Sequence, residues 1–143
     1  MTKELTKEML NEMGIKIEWK DEDWVVTRFA KGPGKNSQKS WRTIKRGVVI
    51  GKHKYANDKI YPSYAWSYNN KPFIVTESRL IYAYFIGNIP ENYDIDHIDN
   101  NPMNNQLNNL RLLTREENLR KRFLDNEYNC KNQYDYIKRH KGE

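Results

Sequence analysis

The alternation of apolar and polar positions predicts a mostly β N-terminal half. A short amphipathic helix over residues 2–13, ended by Gly14, precedes the strands. The polar, glycine- and proline-containing segment Lys31–Ser40 predicts a loop, and Asn69-Asn70 predicts a hairpin turn. The predicted strands are Ile15–Trp19, Trp24–Phe29, Trp41–Ile44, Val48–Ile50, Tyr64–Tyr68 and Phe73–Val75.

From Thr76 onward the pattern changes to mixed elements. Thr76 can cap a helix that runs to about Phe85, and two short strands follow at Tyr93–Ile98 and Leu110–Leu113. Thr114 and Glu117 have the spacing of a capping box, which predicts a helix from residue 115 to about Leu124. The polar tail from Asp125 onward is expected to form one more helix. The fold class is therefore α+β, with a mostly β N-terminal module followed by strand–loop–strand–helix and C-terminal helices.

Composition excludes several classes of protein. The chain has 143 residues, which suggests one compact domain, or one domain with a small appendage. No stretch approaches the ~18 uncharged apolar residues of a membrane helix. The charged N-terminus differs from a secretory signal, so we expect a cytoplasmic protein with no membrane partner. One cysteine, Cys130, excludes an internal disulfide, and no Cys/His spacing indicates structural zinc.

Positive charge is concentrated in the N-terminal half. The formal net charge is +6, and residues 28–59 hold ten basic residues against the single acidic Asp58. Trp41 and Tyr55 are interleaved with them. Because such self-repulsion is relieved by a polyanion, we expect nucleic acid as the partner, bound through its phosphates.

Residues with catalytic potential lie within the strand–loop–strand–helix segment. Asp96 and His97 are followed by Asn109 twelve residues after the histidine and by Asn118 nine residues later. Neutral histidine can take a proton from water, while carboxylate and amide oxygens suit Mg²⁺ better than zinc. Asn109 could accept a hydrogen bond from one imidazole nitrogen and leave the other as the base. Since neighbours in a regular strand face opposite ways, the strand must twist or end at Asp96-His97 for both to reach one phosphate.

These residues resemble the HNH endonuclease family, in its zinc-free ββα-metal branch of phage and intron-type homing or nicking enzymes. The likeness covers about residues 64–122 and includes the lead-in helix, where Ser78 stands at a position that is often histidine. Its motifs are Asp96-His97-Ile98-Asp99-Asn100-Asn101, Asn108-Asn109-Leu110-Arg111-Leu112-Leu113-Thr114 and Glu117-Asn118.

The resemblance implies a role for each matching residue. His97 would be the general base, and Asn109 would bridge the loop to orient it. Asp96 and Asn118 would hold one divalent metal, Mg²⁺ or Mn²⁺. The implied organisation is a basic β-rich DNA-binding region at 1–75, a nuclease core at 76–124 and a polar tail at 125–143. The predicted double-stranded DNA contacts are Arg28, Lys31, Lys35, Lys39, Arg42, Lys45, Arg46, Lys52, Lys54, Arg115, Arg120, Lys121 and Arg122.

Other interpretations stay open at the level of sequence. Asn100, Asn101, Asn104, Asn105 and Asn108 can be explained as turn residues alone. The chain could be a DNA-binding regulatory or anti-defence protein on a nuclease scaffold, or a nuclease that also accepts RNA. One site of this kind cuts one strand, so a double-strand break would need a dimer, two encounters or rotation on the DNA.

Overall fold

The N-terminal strands form a three-stranded antiparallel sheet in the computed structural model, which describes residues 3–51 and 59–121. Helix α1 (Lys7–Glu12) precedes strands β1 (Ile15–Lys20), β2 (Asp23–Lys31) and β3 (Lys39–Thr43), in the order β1-β2-β3. Gly14 has a φ of +75°, a backbone conformation that glycine adopts without strain, and it turns the chain from α1 into β1. One face of this sheet packs on the core, and its outer face remains exposed.

A second antiparallel sheet follows along the chain. It contains β4 (Gly47–Gly51), β5 (Lys59–Tyr68) and β6 (Lys71–Thr76), with β5 in the centre. The turn between β5 and β6 is the predicted Asn69-Asn70 pair, and both residues have positive φ. Asparagine tolerates this left-handed conformation, which matches the twist of the two strands.

The C-terminal part of the described chain is a helix followed by a two-stranded sheet. Helix α2 (Glu77–Phe85) leads to β7 (Tyr93–His97), and a short 3-10 helix (Leu107–Asn109) leads into β8 (Leu110–Thr114), which pairs antiparallel with β7. Helix α3 begins at residue 115 and is described to residue 121. Glu117 donates its backbone N–H to Thr114 Oγ1 at 3.1 Å, as the capping box predicts.

A single hydrophobic core joins these elements around α2. Leu80 and Ile81 on α2 are fully buried and belong to one cluster with Leu10, Val26 and Leu110, which come from α1, β2 and β8. Leu5 and Ile89 exchange two backbone hydrogen bonds of 2.8 Å. The N-terminal segment is thereby tied to the chain that leaves α2, so the first sheet is fixed relative to the C-terminal strands.

The α+β prediction is confirmed, and the predicted strands all form. The first helix is shorter than predicted, because Leu5 pairs with Ile89 and Thr6 then caps α1 by accepting from the Met9 N–H. The predicted loop is also shorter, since Lys31 and Lys39 pair across β2 and β3. The end of α3 and the predicted tail helix fall outside the described residues. In the part of the chain that the structure describes, no helix has the length and apolar content needed to cross a bilayer.

Candidate active site

The pairing of β7 and β8 places the Asp96-His97 pair at the end of a strand. Asp96 lies opposite Arg111, and His97 lies opposite Leu110 as the last residue of β7. The chain then turns, with the Asn100 N–H donating to the His97 carbonyl at 2.9 Å. The regular strand ends at His97, as the expected geometry requires, and Asp96 and His97 both line one cleft.

This cleft contains three of the four predicted site residues. Asp96, His97 and Asn118 line it together with Lys121 from α3 and with Lys59 and Tyr61 from β5. Carboxylate, imidazole and carboxamide groups therefore face one surface depression, bordered by lysines. Asn109 is not part of its lining.

The imidazole of His97 is held by Asn105. His97 is 8% exposed, and its Nε2 lies 2.7 Å from Oδ1 of Asn105, which is 3% exposed. Asn105 in turn donates from Nδ2 to Glu77 Oε2 at 2.7 Å. A carboxylate only accepts, so this bond fixes the amide with Oδ1 towards the imidazole. His97 must then carry its hydrogen on Nε2, which leaves the Nδ1 lone pair available as a base.

Glu77 is a buried carboxylate at the first position of α2, and it accepts hydrogen bonds from Arg46 and Tyr64 as well as from Asn105. Its Oε1 accepts from Tyr64 Oη at 2.8 Å and from Arg46 Nε at 2.9 Å and Nη2 at 2.7 Å. Arg46 also makes a bidentate pair with Asp23, with distances of 2.7 and 3.0 Å. Hydrogen bonding to Asp23 and the charge of Glu77 raise the pKa of Arg46, while burial and Glu77 raise the pKa of Tyr64. Both groups therefore stay protonated and keep donating to the buried carboxylate.

Asn109 organises the loop instead of touching the imidazole. Its Oδ1 accepts from the Asp99 N–H at 3.1 Å, and its Nδ2 donates to Asp99 Oδ1 at 2.9 Å and to the Asn104 carbonyl at 2.8 Å. Hydrogen bonds from Asn104, the Asn101 backbone and Asn109 lower the pKa of Asp99. The expected Asn109–imidazole bond is thus corrected: Asn105 makes it, and Asn109 bridges the loop beside His97.

The carboxylate of Asp96 and two neighbouring oxygen atoms surround the ammonium group of Lys121. Lys121 Nζ is 2.8 and 3.0 Å from the two carboxylate oxygens of Asp96, 2.7 Å from Asn100 Oδ1 and 3.4 Å from the His97 carbonyl. Arg111 Nε donates to Asp96 Oδ2 at 2.8 Å from the facing strand. The arrangement of these oxygens shows that this position in the cleft accommodates a cation.

Asn118 is oriented by Asp94. Its Nδ2 donates to Asp94 Oδ2 at 2.9 Å, which leaves the amide oxygen as its potential ligand atom in the cleft that it shares with Asp96. Within residues 3–51 and 59–121 no three His, Cys, Asp or Glu side chains cluster as a metal site. A set of oxygens from one carboxylate and from carboxamides fits a hard divalent cation that keeps several waters.

Comparison with known proteins finds one match, to part of the chain. Residues 77–120 match the model of the family described as HNH endonuclease. This segment, 44 of the 143 residues, is similar to HNH endonucleases. Searches of curated proteins and of solved structures each found no match. The matched segment begins at Glu77 and includes Asp96, His97, Asn105, Asn109 and Asn118, while Arg46, Tyr64 and Lys121, which hydrogen-bond to this set, lie outside it.

The matched segment supports nuclease activity in general, and DNA is the partner on which HNH nucleases act. Its surroundings supply the predicted basic surface only in part. Seven of the predicted DNA-contact residues are exposed: Lys31, Lys35, Lys39, Arg42, Lys45, Arg115 and Arg120. Lys52, Lys54 and Arg122 fall outside the described residues. Lys121 lies inside the cleft.

Two basic residues assigned to DNA contact are occupied within the fold. Arg28 donates from Nε to the Met13 carbonyl at 2.9 Å and from Nη1 to the Ser67 carbonyl at 2.7 Å, so it joins α1 to the second sheet. Arg46 balances the buried Glu77. These contacts correct the assignment of Arg28 and Arg46, because their guanidinium groups already serve carbonyl and carboxylate partners.

Sequence reasoning missed Glu77 and Asn105. Asn105 was indistinguishable from its neighbouring asparagines, each of which could simply make a turn. Glu77 carried a usable signal, since it lies three and four residues before Leu80 and Ile81 and therefore on the apolar face of α2. An acidic residue on a buried helix face requires a partner, and that requirement points into the site.

Proposed function

We propose that this protein is a metal-dependent HNH endonuclease that hydrolyses phosphodiester bonds of double-stranded DNA, with His97 as the general base. In the reaction, Nδ1 of His97 takes a proton from a water molecule as its oxygen attacks phosphorus. The bond to the 3′ oxygen breaks, and that oxygen takes a proton from solvent. The chain's own residues hold the base, position the phosphate and bind the flanking duplex.

The observation that carries this proposal is the hydrogen-bond chain from Glu77 through Asn105 to the imidazole of His97. The Glu77–Asn105–His97 chain keeps the hydrogen on Nε2, so the neutral ring presents an unprotonated Nδ1. A histidine with a purely structural role could form its hydrogen bond through either ring nitrogen. This ring also lines the same cleft as Asp96 and Asn118, which supports a role in chemistry at that cleft.

Asp96 and Asn118 would hold one divalent cation, Mg²⁺ or Mn²⁺. Such a cation would neutralise the negative charge that develops on the phosphate and on the leaving oxygen. Asp96 is supported by Arg111 and Asn118 by Asp94, so both ligand atoms would be oriented before the metal binds. The ammonium of Lys121, placed among the oxygens of Asp96 and Asn100, supports the fit of a cation here.

The outer face of the first sheet is the surface we assign to DNA binding. Phe29 and Trp41 face each other across β2 and β3 with ring centroids 5.3 Å apart, and they are 43% and 56% exposed. Lys31 and Lys39 form the next pair on the same face. Like charges placed directly opposite destabilise a sheet, and binding a phosphate between them would relieve the repulsion.

Plasmid cleavage tests the proposed function. Supercoiled plasmid is incubated with wild type or His97→Ala in Mg²⁺, Mn²⁺ or EDTA. The control variant is His140→Ala, because His140 is a histidine outside the matched residues 77–120. DNA binding is measured in EDTA with the same proteins. We expect nicked or linear product that requires the metal and His97, with wild-type activity in the His140→Ala control. Cleavage by His97→Ala would contradict the assigned base. Tight binding without cleavage by wild type would favour a DNA-binding regulatory protein, and preferential cleavage of structured RNA would change the substrate class.

A further inference from the structure

We propose that Glu77 and Asn105 are positioning residues that select the tautomer of His97, with the charge of Glu77 as the element that decides it. The inference rests on the proposed role of His97 as a base. It goes beyond that role because it places the determinant of the tautomer on α2, twenty residues before the histidine, and in contact with the N-terminal half of the chain.

The burial of Glu77 is the first argument. Its side chain is 3% exposed on the buried face of α2, where an apolar residue would serve packing better. A buried carboxylate is tolerated only when its oxygens are matched by donors. Arg46 and Tyr64 supply donors to Oε1, and Asn105 supplies the donor to Oε2. Both oxygens are therefore used, and they face different partners.

The direction of the hydrogen bonds is the second argument. A carboxamide has a donor end and an acceptor end, so the group that binds one end determines what the other end offers. Glu77 can only accept, which requires the Asn105 NH₂ on its side and the Asn105 oxygen at His97 Nε2. The ring must donate to that oxygen. The negative charge of Glu77 thus determines, through two hydrogen bonds of 2.7 Å, which imidazole nitrogen stays free.

Replacing Glu77 by glutamine gives a specific expectation. The glutamine oxygen should face Arg46 and Tyr64, since both are donors. The glutamine NH₂ would then face Asn105 and require an acceptor, so the Asn105 amide should reverse and present its NH₂ to His97. Nε2 would become an acceptor and the hydrogen would move to Nδ1, which removes the free base without removing any residue of the HNH motif.

The tautomer can be measured without any cleavage assay. Long-range ¹H–¹⁵N correlation spectra of the full ¹⁵N-labelled chain distinguish Nε2–H from Nδ1–H in a neutral ring, and His97→Ala assigns the signal among the three histidines. We expect Nε2–H in wild type and Nδ1–H in Glu77→Gln. Tyr64→Phe is the matched control, because it removes a donor to Glu77 but keeps the charge, so Nε2–H should persist.

A compensating variant distinguishes positioning from general damage. In Glu77→Gln/Asn105→Asp, the new aspartate can accept from the glutamine NH₂ and from His97 Nε2–H, so the wild-type tautomer should return. DNA nicking should fall about 10–100-fold in Glu77→Gln, with unchanged DNA binding, and recover in the double variant. If Glu77→Gln does not fold, Asn105→Ala should give a mixture of tautomers.

The outcomes separate this inference from the proposed function. An unchanged Nε2–H signal in Glu77→Gln, or in Asn105→Ala, would overturn the positioning role even if wild type cleaves DNA. If Tyr64→Phe also moved the hydrogen of His97 to Nδ1, the positioning role would be overturned as well, since the tautomer would then not depend on the charge of Glu77. A switched tautomer in a protein without cleavage would support the positioning role and reject the endonuclease proposal.

Discussion

The indole Nε1–H of Trp24 donates to the backbone carbonyl of Asn105 at 3.0 Å, across 81 residues of sequence. Trp24 lies in β2 and packs against Trp19 and Phe85, with ring centroids 4.8 and 5.2 Å away. Its bond fixes the backbone of the residue whose side chain holds His97. The first sheet therefore supports the loop that carries Asn105 directly.

Removing this bond should destabilise the protein and weaken its activity. We expect Trp24→Phe to lower the free energy of unfolding by about 1–3 kcal/mol, because the change leaves a buried carbonyl without its donor. Nicking should also slow, since the Asn105 backbone would be held less firmly. Urea unfolding measures the first effect and plasmid nicking the second. Trp19→Phe, at a 46% exposed position, is the control and should change stability less; equal losses in both variants would contradict the role of the bond.

The ammonium of Lys121 should compete with the metal. A divalent cation bound by Asp96 must displace or approach this charge, and two unit charges 4 Å apart repel by about 1–4 kcal/mol at effective dielectric constants between 80 and 20. Lys121→Met should therefore bind Mn²⁺ roughly tenfold more tightly in calorimetric titrations without DNA. Arg120→Met, which removes an exposed charge from the same helix, should have a small effect. Weaker Mn²⁺ binding by Lys121→Met would show that the lysine supports the site and does not compete for it.

Local patterns predicted the elements that hold the motif, and they could not predict how its side chains pair. The β7 strand and the capping of α3 by Thr114 depend on residues close in sequence, which is why local patterns located them, although β7 ends at His97 and not at the predicted Ile98. The hydrogen-bond partner of His97 could not be identified from the sequence, because Asn104 and Asn105 are identical there. Only the fold shows that Asn105 is buried and contacts Glu77. Arg46 was misassigned for the same reason: its charge is visible in the sequence, but its buried counter-charge becomes a neighbour only when α2 packs beside β5.

The Phe29–Trp41 face should carry part of the salt-dependent DNA affinity. In the double variant Lys31→Ala/Lys39→Ala, the slope of log K against log[salt] should become less negative by about 2, as expected for two lost phosphate contacts. Trp41→Ala should weaken binding by removing stacking or van der Waals contact. Fluorescence anisotropy with a labelled duplex measures both effects. Ile74→Ala on the second sheet, at a 64% exposed position, is the matched control, and an unchanged slope in the lysine variant would place the DNA elsewhere.

The pair between Asp23 and Arg46 should make stability depend on acid pH. Hydrogen bonding to Arg46, and then to the Trp24 N–H, lowers the pKa of Asp23 below that of an unfolded aspartate, about 3.9. A carboxyl group with a lowered folded pKa stabilises the fold above the unfolded pKa, and this contribution is lost as pH falls through the folded pKa. Asp23→Asn lacks it at every pH.

The wild-type Tm should therefore exceed that of Asp23→Asn near neutral pH, and the difference should shrink as the pH falls below about 4. Thermal unfolding followed by circular dichroism between pH 7 and 3 measures this difference directly. Other carboxyl groups titrate in both proteins and largely cancel in the comparison. A Tm difference that stays constant over this range would mean that the Asp23 charge contributes nothing through Arg46, and that Glu77 alone holds the guanidinium in place.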